Sequence, residues 1–132
     1  MPPILTPIFV FLGQARGDFA TTINIWAHTS KTPQIVVHCA TSNDVQAGLT
    51  IAREAGLPVS VRAGGHDWVG RALCDGVVLD LTPMRWAEVS QDRATVRIGG
   101  GSRGMDVYTL FAIISSGSNA GMTSRKYSDM VN

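Results

Sequence analysis

Hydrophobic residues in the first half of the chain alternate between short continuous runs and a helical spacing. The run "IVVHC" (residues 35–39) is rich in β-branched side chains and predicts a buried strand. In the next segment, "DVQAGLTIAREA", apolar residues recur at spacings of four and three, which predicts a helix whose apolar face carries Val45, Leu49 and Ala52. "VSVR" (residues 59–62) then predicts a second strand. Because the joins are short, the three elements predict a parallel βαβ unit.

The ends of this helix are also marked in the sequence. Ser42 is a suitable N-cap residue, and Asp44 in the first turn and Arg53 in the last turn both favour the helix dipole. Gly56 is expected to end the helix, and Pro58 prevents its continuation.

The second half of the chain carries a different pattern. "GVVLDL" (Gly76–Leu81) predicts a third strand, after which Pro83 breaks the chain. "WAEVS" and "ATVRI" flank a turn at residues 91–93 and predict a hairpin, whose polar and apolar residues alternate as in antiparallel strands. A final helix is predicted in "GMDVYTLFAII" from the spacing of Val107, Leu110, Phe111 and Ile114.

These elements predict an α+β fold, in which a small parallel βαβ sheet is joined to the first antiparallel strands of a second subdomain. We expect an N-terminal segment at residues 1–32, one domain at residues 33–114 and a polar tail at residues 115–132. The N-terminal apolar run, Ile8–Leu12, is too short to cross a bilayer and lacks a basic flank. A segment that packs on the domain is therefore favoured over a signal peptide.

Composition narrows the class of partner. The 132 residues are 45% hydrophobic and 16% charged, with a formal net charge of +1, which is a globular composition. Because no long basic block occurs, neither nucleic acid nor a membrane is predicted as a partner. The two cysteines, Cys39 and Cys74, form no CxxC pair and predict neither a disulfide framework nor a zinc site.

The stretch "RAGGHDWVG" (residues 62–70) is the strongest candidate for a site. A tight glycine-rich turn leaves backbone N–H groups pointing into one concavity, where they bind phosphate oxygens. In open α/β sheets, ligands bind beyond the carboxyl ends of the parallel strands, where this loop falls, and Arg62 would add a positive charge. Two interpretations stay open on the residues alone: a phosphate-bearing ligand, or a structural turn in which His66 caps a strand end.

This loop, with "IVVHCATSNDVQAGLTIAREAGLPVSV" before it and "GVVLDLTPM" after it, resembles the FAD-linked oxidases. These form the vanillyl-alcohol oxidase and p-cresol methylhydroxylase (PCMH-type) superfamily, and the berberine-bridge-enzyme-like branch is the most similar. The resemblance runs from about Pro33 to about Tyr108. It implies FAD as cofactor, with the loop wrapping the flavin pyrophosphate, and it assigns cofactor binding to Arg62, Ala63, Gly64, Gly65, His66, Asp67 and Gly70.

The resemblance also implies an activity, the oxidation of a small organic substrate by hydride transfer to flavin N5. His66 matches the histidine that many members join covalently to the flavin; others hold the flavin without a bond. Some members of the family also join the flavin to a cysteine farther along the chain. That second bond is not expected here, because no cysteine follows Cys74 and Ser128 stands nearest the corresponding position. The family's substrate domain has no counterpart here, so a truncated or frameshifted remnant without activity is the alternative, and a domain that borrows its missing half from another chain is a third hypothesis.

The remaining motifs are weaker. Gly99, Gly101 and Gly104 in "GGGSRG" satisfy G-x-G-x-x-G, but a half-polar strand precedes them and no second strand follows, which argues against a dinucleotide-binding Rossmann unit and favours a turn. Other residues that carry chemistry stand isolated, so no catalytic residue and no metal site are predicted among His28, His38, Asp80, Glu88 and Asp106. Cys74 is expected to be a small buried packing residue, and Trp68 is expected to lie in the core, with packing over the loop as the alternative.

Overall fold

The computed structural model describes residues 10–12, 25 and 27–116. Its elements, in chain order, are β1 (Val10–Leu12), β2 (Ile35–His38), α1 (Ser42–Ala55), β3 (Val59–Arg62), β4 (Val77–Asp80), a 3-10 helix (Thr82–Met84), β5 (Ala87–Val89), β6 (Val96–Ile98) and α2 (Gly104–Ser115). They form a four-stranded sheet and a two-stranded sheet, so the predicted α+β class is confirmed. Residues 117–132, which make up most of the predicted polar tail, lie outside the described part of the chain.

The larger sheet has the strand order β1-β2-β4-β3. Strands β2 and β3 both run parallel to β4, which lies between them, so the third predicted strand is inserted into the βαβ unit. All four residues of β4 are buried, as a continuous apolar run predicts for a central parallel strand. At the other edge, β1 pairs antiparallel with β2, so part of the apolar N-terminal run joins the sheet.

Helix α1 begins one residue earlier than the sequence suggested. Thr41, not Ser42, is the N-cap residue: its hydroxyl accepts a hydrogen bond from the backbone N–H of Asp44. The Asp44 carboxylate in turn accepts the backbone N–H groups of Ala40 and Thr41, at 3.0 and 2.8 Å. This reciprocal capping box satisfies orphan donors of the first turn. At the other end, Gly56 adopts the left-handed conformation (φ 64°), as predicted.

The buried face of α1 is rotated from the predicted one. Asp44, Gly48 and Ala52 are buried, whereas Leu49 is 47% exposed. The reason is close approach: a Cβ at position 48 would collide with the Leu79 side chain, so the helix backbone lies directly on the sheet there. The prediction that Leu49 belongs to the core is therefore wrong.

Two hydrophobic clusters cover the two faces of the sheet. The cluster under α1 contains Val37, Cys39, Ala52, Val77 and Leu79, and the cluster on the opposite face contains Val36, Leu73 and Val78. Alternate residues of β2 and β4 therefore point into different clusters, which fixes the strand register. This packed sheet supplies the rigid base from which the loop after β3 projects.

The second half of the chain is less completely buried. Strands β5 and β6 form the predicted antiparallel hairpin, and α2 packs its buried residues Asp106 and Leu110 inward. Phe111, predicted on the same apolar face, is 50% exposed, and Ile98 is 44% exposed.

Candidate functional site

A polar side-chain network lies at the carboxyl ends of the three parallel strands. His38, Arg62 and Asp80 occupy the last position of β2, β3 and β4 and share one register. The Asp80 carboxylate lies 2.8 Å from His38 Nδ1 and accepts hydrogen bonds from Arg62 Nη1 at 3.1 Å and from the Thr82 hydroxyl at 2.6 Å. The Thr82 hydroxyl also lies 3.4 Å from the carbonyl oxygen of Ala63. The network therefore ties the start of the following loop to the sheet.

Arg62 does not play the electrostatic role that the sequence suggested. Its guanidinium is buried and paired with Asp80, so its charge is compensated inside the protein. The parity of the strand explains this, because Arg62 shares a face with Ser60, which is also buried. Arg62 thus belongs to the network that ties Ala63 to the sheet, through its hydrogen bonds to Asp80 and Thr82.

The loop of residues 63–67, which we call the first loop, presents open backbone donors. The backbone N–H groups of Ala63, Gly64 and Gly65 donate to no acceptor among the described residues. Gly65 has φ 78°, a left-handed conformation that side chains disfavour. The turn closes through the backbone N–H of Asp67, which donates to the carbonyl of Gly65 at 2.9 Å. Such a run of unpaired amides is the arrangement that binds anions.

The Asp67 side chain holds the end of the first loop. Its carboxylate accepts the backbone N–H groups of Ala72, at 2.6 Å, and of Val69, at 3.0 Å. These hydrogen bonds, that from Ala72 above all, lower the pKa of Asp67 because they favour the ionised carboxylate. Gly70, three residues later, has φ 76°, and its carbonyl oxygen accepts a hydrogen bond from Lys31 Nζ at 2.9 Å. Asp67 therefore fixes the chain that follows the loop through its carboxylate, and Gly70 fixes it through its backbone carbonyl.

His66 and Trp68 stand at the exposed side of the loop. Their rings meet edge to face, with centroids 5.7 Å apart. Trp68 is 67% exposed, so the expectation that it lies in the core is wrong, and its contact with His66 instead places it beside the loop. An exposed imidazole beside an exposed aromatic ring is accessible to a ligand that lies along the first loop.

The first loop forms one wall of a cleft of about 630 Å³. Its opposite wall comes from the stretch 99–104, which we call the second loop, where "GGGSRG" precedes α2. The lining residues are Val61, Ala63, Gly64, Gly65, His66, Asp67, Arg71, Ala72, Ser102, Arg103 and Gly104. Five of the predicted residues thus line one cleft, whereas Arg62 and Gly70 are not among its lining residues.

Sequence reasoning missed the contribution of the second loop. The G-x-G-x-x-G pattern is its only signal, and that pattern fits a plain turn equally well. In the structure, the second loop is anchored to the hairpin: the Ser102 hydroxyl donates to the carbonyl of Trp86 at 2.8 Å. The buried Asp106 accepts two hydrogen bonds from Arg85 and one from the backbone N–H of Arg103. The hydrogen bond from Arg85 is the main reason why the pKa of Asp106 is lowered.

The other candidate residues form no second site within the described residues. Burial, with the nearby Asp44 and Asp80 carboxylates, raises the pKa of the Cys39 thiol to about 11, so this cysteine stays protonated at neutral pH. Cys74 donates to backbone carbonyls, and His28 is exposed. No group of three or more potential metal ligands comes together in the described residues. No helix among those residues is long and apolar enough to cross a membrane.

The arrangement can bind an anion, and its described residues contain no evident nucleophile and base pair. Open amides on one wall and arginine side chains at both walls favour a phosphate-bearing ligand. The volume of the cleft falls within the range of roughly 300–1,000 Å³ typical of small-molecule sites.

Comparison with known proteins identifies similar chains. Residues 33–113 match the FAD binding domain family. The chain is 36% identical over 88 residues to (R)-6-hydroxynicotine oxidase of Paenarthrobacter nicotinovorans, a match that covers 64% of this chain and 19% of that protein. The crystal structure of 6-hydroxy-D-nicotine oxidase from Arthrobacter nicotinovorans superimposes with a TM-score of 0.73 at 31% identity, over 83% of this chain and 25% of that one.

A more distant solved structure shows the same fold. Wild-type BBE-like 1 of Physcomitrella patens matches with a TM-score of 0.70 at 22% identity, over 80% of this chain and 24% of that chain. The chain therefore spans about a fifth to a quarter of the length of these relatives.

Proposed function

The chain belongs to the FAD binding domain family, and from this premise we propose that the first loop holds the diphosphate of FAD. The backbone N–H groups of Ala63, Gly64 and Gly65 would donate to the phosphate oxygens, and His66 and Asp67 would line the cofactor. Arg62 and Gly70 are not among the lining residues, so we infer that they would act on FAD only by holding the loop. The FAD cofactor and the resemblance to PCMH-type oxidases are supported by the family match and by the similar oxidases.

One observation carries this proposal more than any other. The three open amides lie at the carboxyl ends of parallel strands, where ligands of α/β sheets bind, and they border a cleft large enough for a small molecule. Gly65 is buried although its N–H donates to no acceptor among the described residues, and buried amides are normally paired, which favours a bound ligand as the acceptor. The donor set is also chemically suited to phosphate, so the residues present fit the cofactor that the family implies.

The activity proposed for the whole protein is that of a flavin-dependent oxidoreductase acting on a small organic substrate. Its similar proteins carry names such as (R)-6-hydroxynicotine oxidase and Berberine bridge enzyme-like 14 of Arabidopsis thaliana. When bound, flavin supplies the acceptor for a hydride, at N5. The described residues contribute binding and orientation, since no base or substrate pocket stands among them. The alternative is a truncated or frameshifted remnant that folds partly and has no catalytic activity of its own, and circular dichroism with an assay for substrate-dependent flavin reduction would test it.

Covalent attachment through His66 remains a prediction. The exposed ring lines the cleft beside Trp68, which keeps it accessible to a bound flavin. Flavin that stays with the acid-precipitated protein, and that is released from a His66→Ala variant, would support the bond. Complete release from the wild-type chain would leave His66 as a contact only.

The direct test of cofactor binding is a titration of the purified chain with FAD, followed by flavin fluorescence. Gly64→Ala is the most informative variant: a Cβ at position 64 would meet only the Arg103 side chain, at an ordinary 3.6 Å. The protein itself tolerates the methyl group, whereas a diphosphate lying on the backbone does not. We expect an unchanged melting temperature and a loss of FAD affinity of about tenfold or more, equivalent to about 1.4 kcal/mol.

Two outcomes would contradict the proposal. The first is a wild-type chain that is folded, by circular dichroism, and takes up no FAD. The second is a Gly64→Ala variant that binds FAD as tightly as the wild type, because that result would place the diphosphate away from the first loop.

A further inference from the structure

Two arginines border the cleft in addition to the open amides. Arg71 follows the first loop, and Arg103 belongs to the second loop on the opposite wall. Both are exposed, and neither guanidinium donates to an acceptor among the described residues. We propose that Arg71 and Arg103 close on the diphosphate from both sides, so that the second loop is part of the cofactor site. This inference rests on the proposed function and names further residues for it.

The contrast with the other arginines of the domain supports the assignment. Arg62 is paired with Asp80 at 3.1 Å, and Arg85 with Asp106 at 2.6 Å. Even the exposed Arg97 lies 3.9 Å from Glu88. Arg53 and Arg93 also form no ion pair among the described residues, so the feature that distinguishes Arg71 and Arg103 is their position in the lining of the cleft.

The cleft lining carries more positive than negative charge, although the buried Asp106, which pairs with Arg85, also attracts Arg103 from outside the lining. Asp67 is the single acidic residue in its lining among the described residues, and its carboxylate already accepts the backbone N–H groups of Val69 and Ala72. The two guanidinium groups therefore give the cleft an excess of positive charge. A guanidinium presents paired donors in a planar fork that matches two phosphate oxygens, which is why arginine is common in phosphate sites.

The two loops are close enough to share one ligand. A Cβ built on Gly64 would lie 3.6 Å from Cγ of Arg103, so the Arg103 side chain passes beside the backbone that presents the open amides. A diphosphate bound to those amides would therefore lie within reach of the Arg103 guanidinium. Arg71 follows Asp67 by four residues, at the point where the carboxylate holds the chain.

The experiment measures binding of FAD, ADP and riboflavin to the full chain and to Arg71→Gln, Arg103→Gln and the double variant. Each single substitution is expected to weaken FAD and ADP binding about tenfold at low salt, as expected for a charge-assisted hydrogen bond in a partly open site. Riboflavin, which carries no phosphate, should bind equally to all variants. Arg53→Gln, at the end of α1, removes the same charge outside the cleft and is the matched control.

Salt dependence and a conservative variant sharpen the test. The difference between wild type and Arg103→Gln should shrink between about 0.01 M and about 1 M salt, because the screening length falls from roughly 30 Å to roughly 3 Å. Arg103→Lys should restore part of the salt-dependent affinity, since it keeps the charge and loses the fork. A structural role for Arg103 would change neither the salt dependence nor the preference for phosphate-bearing ligands.

The outcomes separate this inference from the proposed function. If the wild type binds FAD and ADP, and the arginine variants bind them no more weakly than Arg53→Gln, the second loop is not part of the diphosphate site and the inference is overturned. If the wild-type chain, although folded, binds neither FAD nor ADP, the proposed function itself fails. Loss of riboflavin binding in step with FAD would also overturn the inference, because the arginines would then act on the whole cleft.

Discussion

The first and second loops, residues 63–67 and 99–104, face each other across one cleft, and both are rich in glycine for opposite reasons. In the first loop, a Cβ at Gly64 would contact nothing closer than the Arg103 side chain. In the second loop, a Cβ at Gly101 would collide with the backbone carbonyl of Leu81, and one at Gly99 with that of Met84. Glycine therefore leaves open space beside the backbone at Gly64 in the first loop and allows close backbone packing at Gly99 and Gly101 in the second.

This difference teaches that a glycine pattern alone does not identify a binding loop. The first loop is distinguished by the backbone N–H groups of Ala63, Gly64 and Gly65, which donate to no acceptor among the described residues. In the second loop, the N–H of Gly99 donates to the carbonyl of Trp86, and that of Gly101 to the carbonyl of Met84. If the second loop touches a ligand, we expect it to do so through Arg103 rather than through its glycines.

The largest expected effect comes from removing the support of the first loop with Asp80→Asn. Asparagine has nearly the same shape, but it removes the negative charge that pairs with the buried Arg62 guanidinium at 3.1 Å. Breaking a buried ion pair on one side costs about 3 kcal/mol or more, so the free energy of unfolding should fall by that amount in urea titrations. FAD affinity should fall as well, because the same network bonds to Ala63.

The control is the double variant Arg62→Gln/Asp80→Asn, which removes both charges of this ion pair. We expect it to recover part of the lost stability. Equal instability of the double variant and the sum of the single variants would mean that Arg62 and Asp80 act independently, contrary to the anchoring described above.

How far the sequence predicts the fold depends on how local the cause is. The strands, the left-handed Gly56 at the end of α1 and the hairpin follow from short-range patterns, and the structure confirms them. The insertion of β4 between β2 and β3 does not follow, because three apolar strands of similar composition specify no order. The exposure of Leu49 escapes prediction for a related reason: the contact between Gly48 and Leu79 exists only after the helix packs on the sheet.

The same limit applies to the site. The position of the first loop follows from the rule that loops after parallel strands carry ligands, and five of the seven predicted residues line the cleft. The burial of Arg62 had a local signal, because it shares a strand face with Ser60. Ser102 and Arg103 had none beyond a common glycine motif, since they lie far along the chain from the first loop and only the tertiary fold brings the two together.

The second loop should be destabilised by any side chain at position 101, because the backbone of Leu81 packs against this glycine, and Gly101→Ala tests this. The added methyl group would meet the backbone of Leu81, which cannot turn away as a side chain would. Overpacking of this kind costs about 2–3 kcal/mol, so the melting temperature should fall by several degrees. Gly104→Ala is the matched control in the same loop: its added methyl group would have no neighbour within 4 Å, and alanine favours the first turn of α2.

Gly104→Ala should therefore be neutral or slightly stabilising. If Gly101→Ala were as stable as Gly104→Ala, the two loops would not differ in the way described, and the second loop would have to be regarded as a further open loop.

Asp67→Asn is expected to have the smallest effect, and it tests how the first loop is held. The pKa of Asp67 is lowered by the backbone N–H groups that its carboxylate accepts, so its contribution to stability is present above the ordinary pKa of about 3.9 and is lost as the pH falls through the lower folded value. The stability difference between wild type and Asp67→Asn should thus shrink when urea titrations at neutral pH are repeated near pH 3. FAD affinity at neutral pH should fall about threefold to tenfold, the range expected for the loss of one hydrogen-bonded anchor.

Asp92→Asn is the matched control for this experiment. The Asp92 carboxylate accepts the Ser90 hydroxyl and the backbone N–H of Ala94 in the hairpin turn, and these bonds lower its pKa in the same way. Both variants should therefore lose stability with the same pH dependence, whereas FAD binding should weaken only in Asp67→Asn. Equal FAD binding by the two variants would show that the carboxylate of Asp67 stabilises its turn without ordering the amides of Ala63, Gly64 and Gly65, and the anchoring of those amides would then rest on the network of Arg62, Asp80 and Thr82 alone.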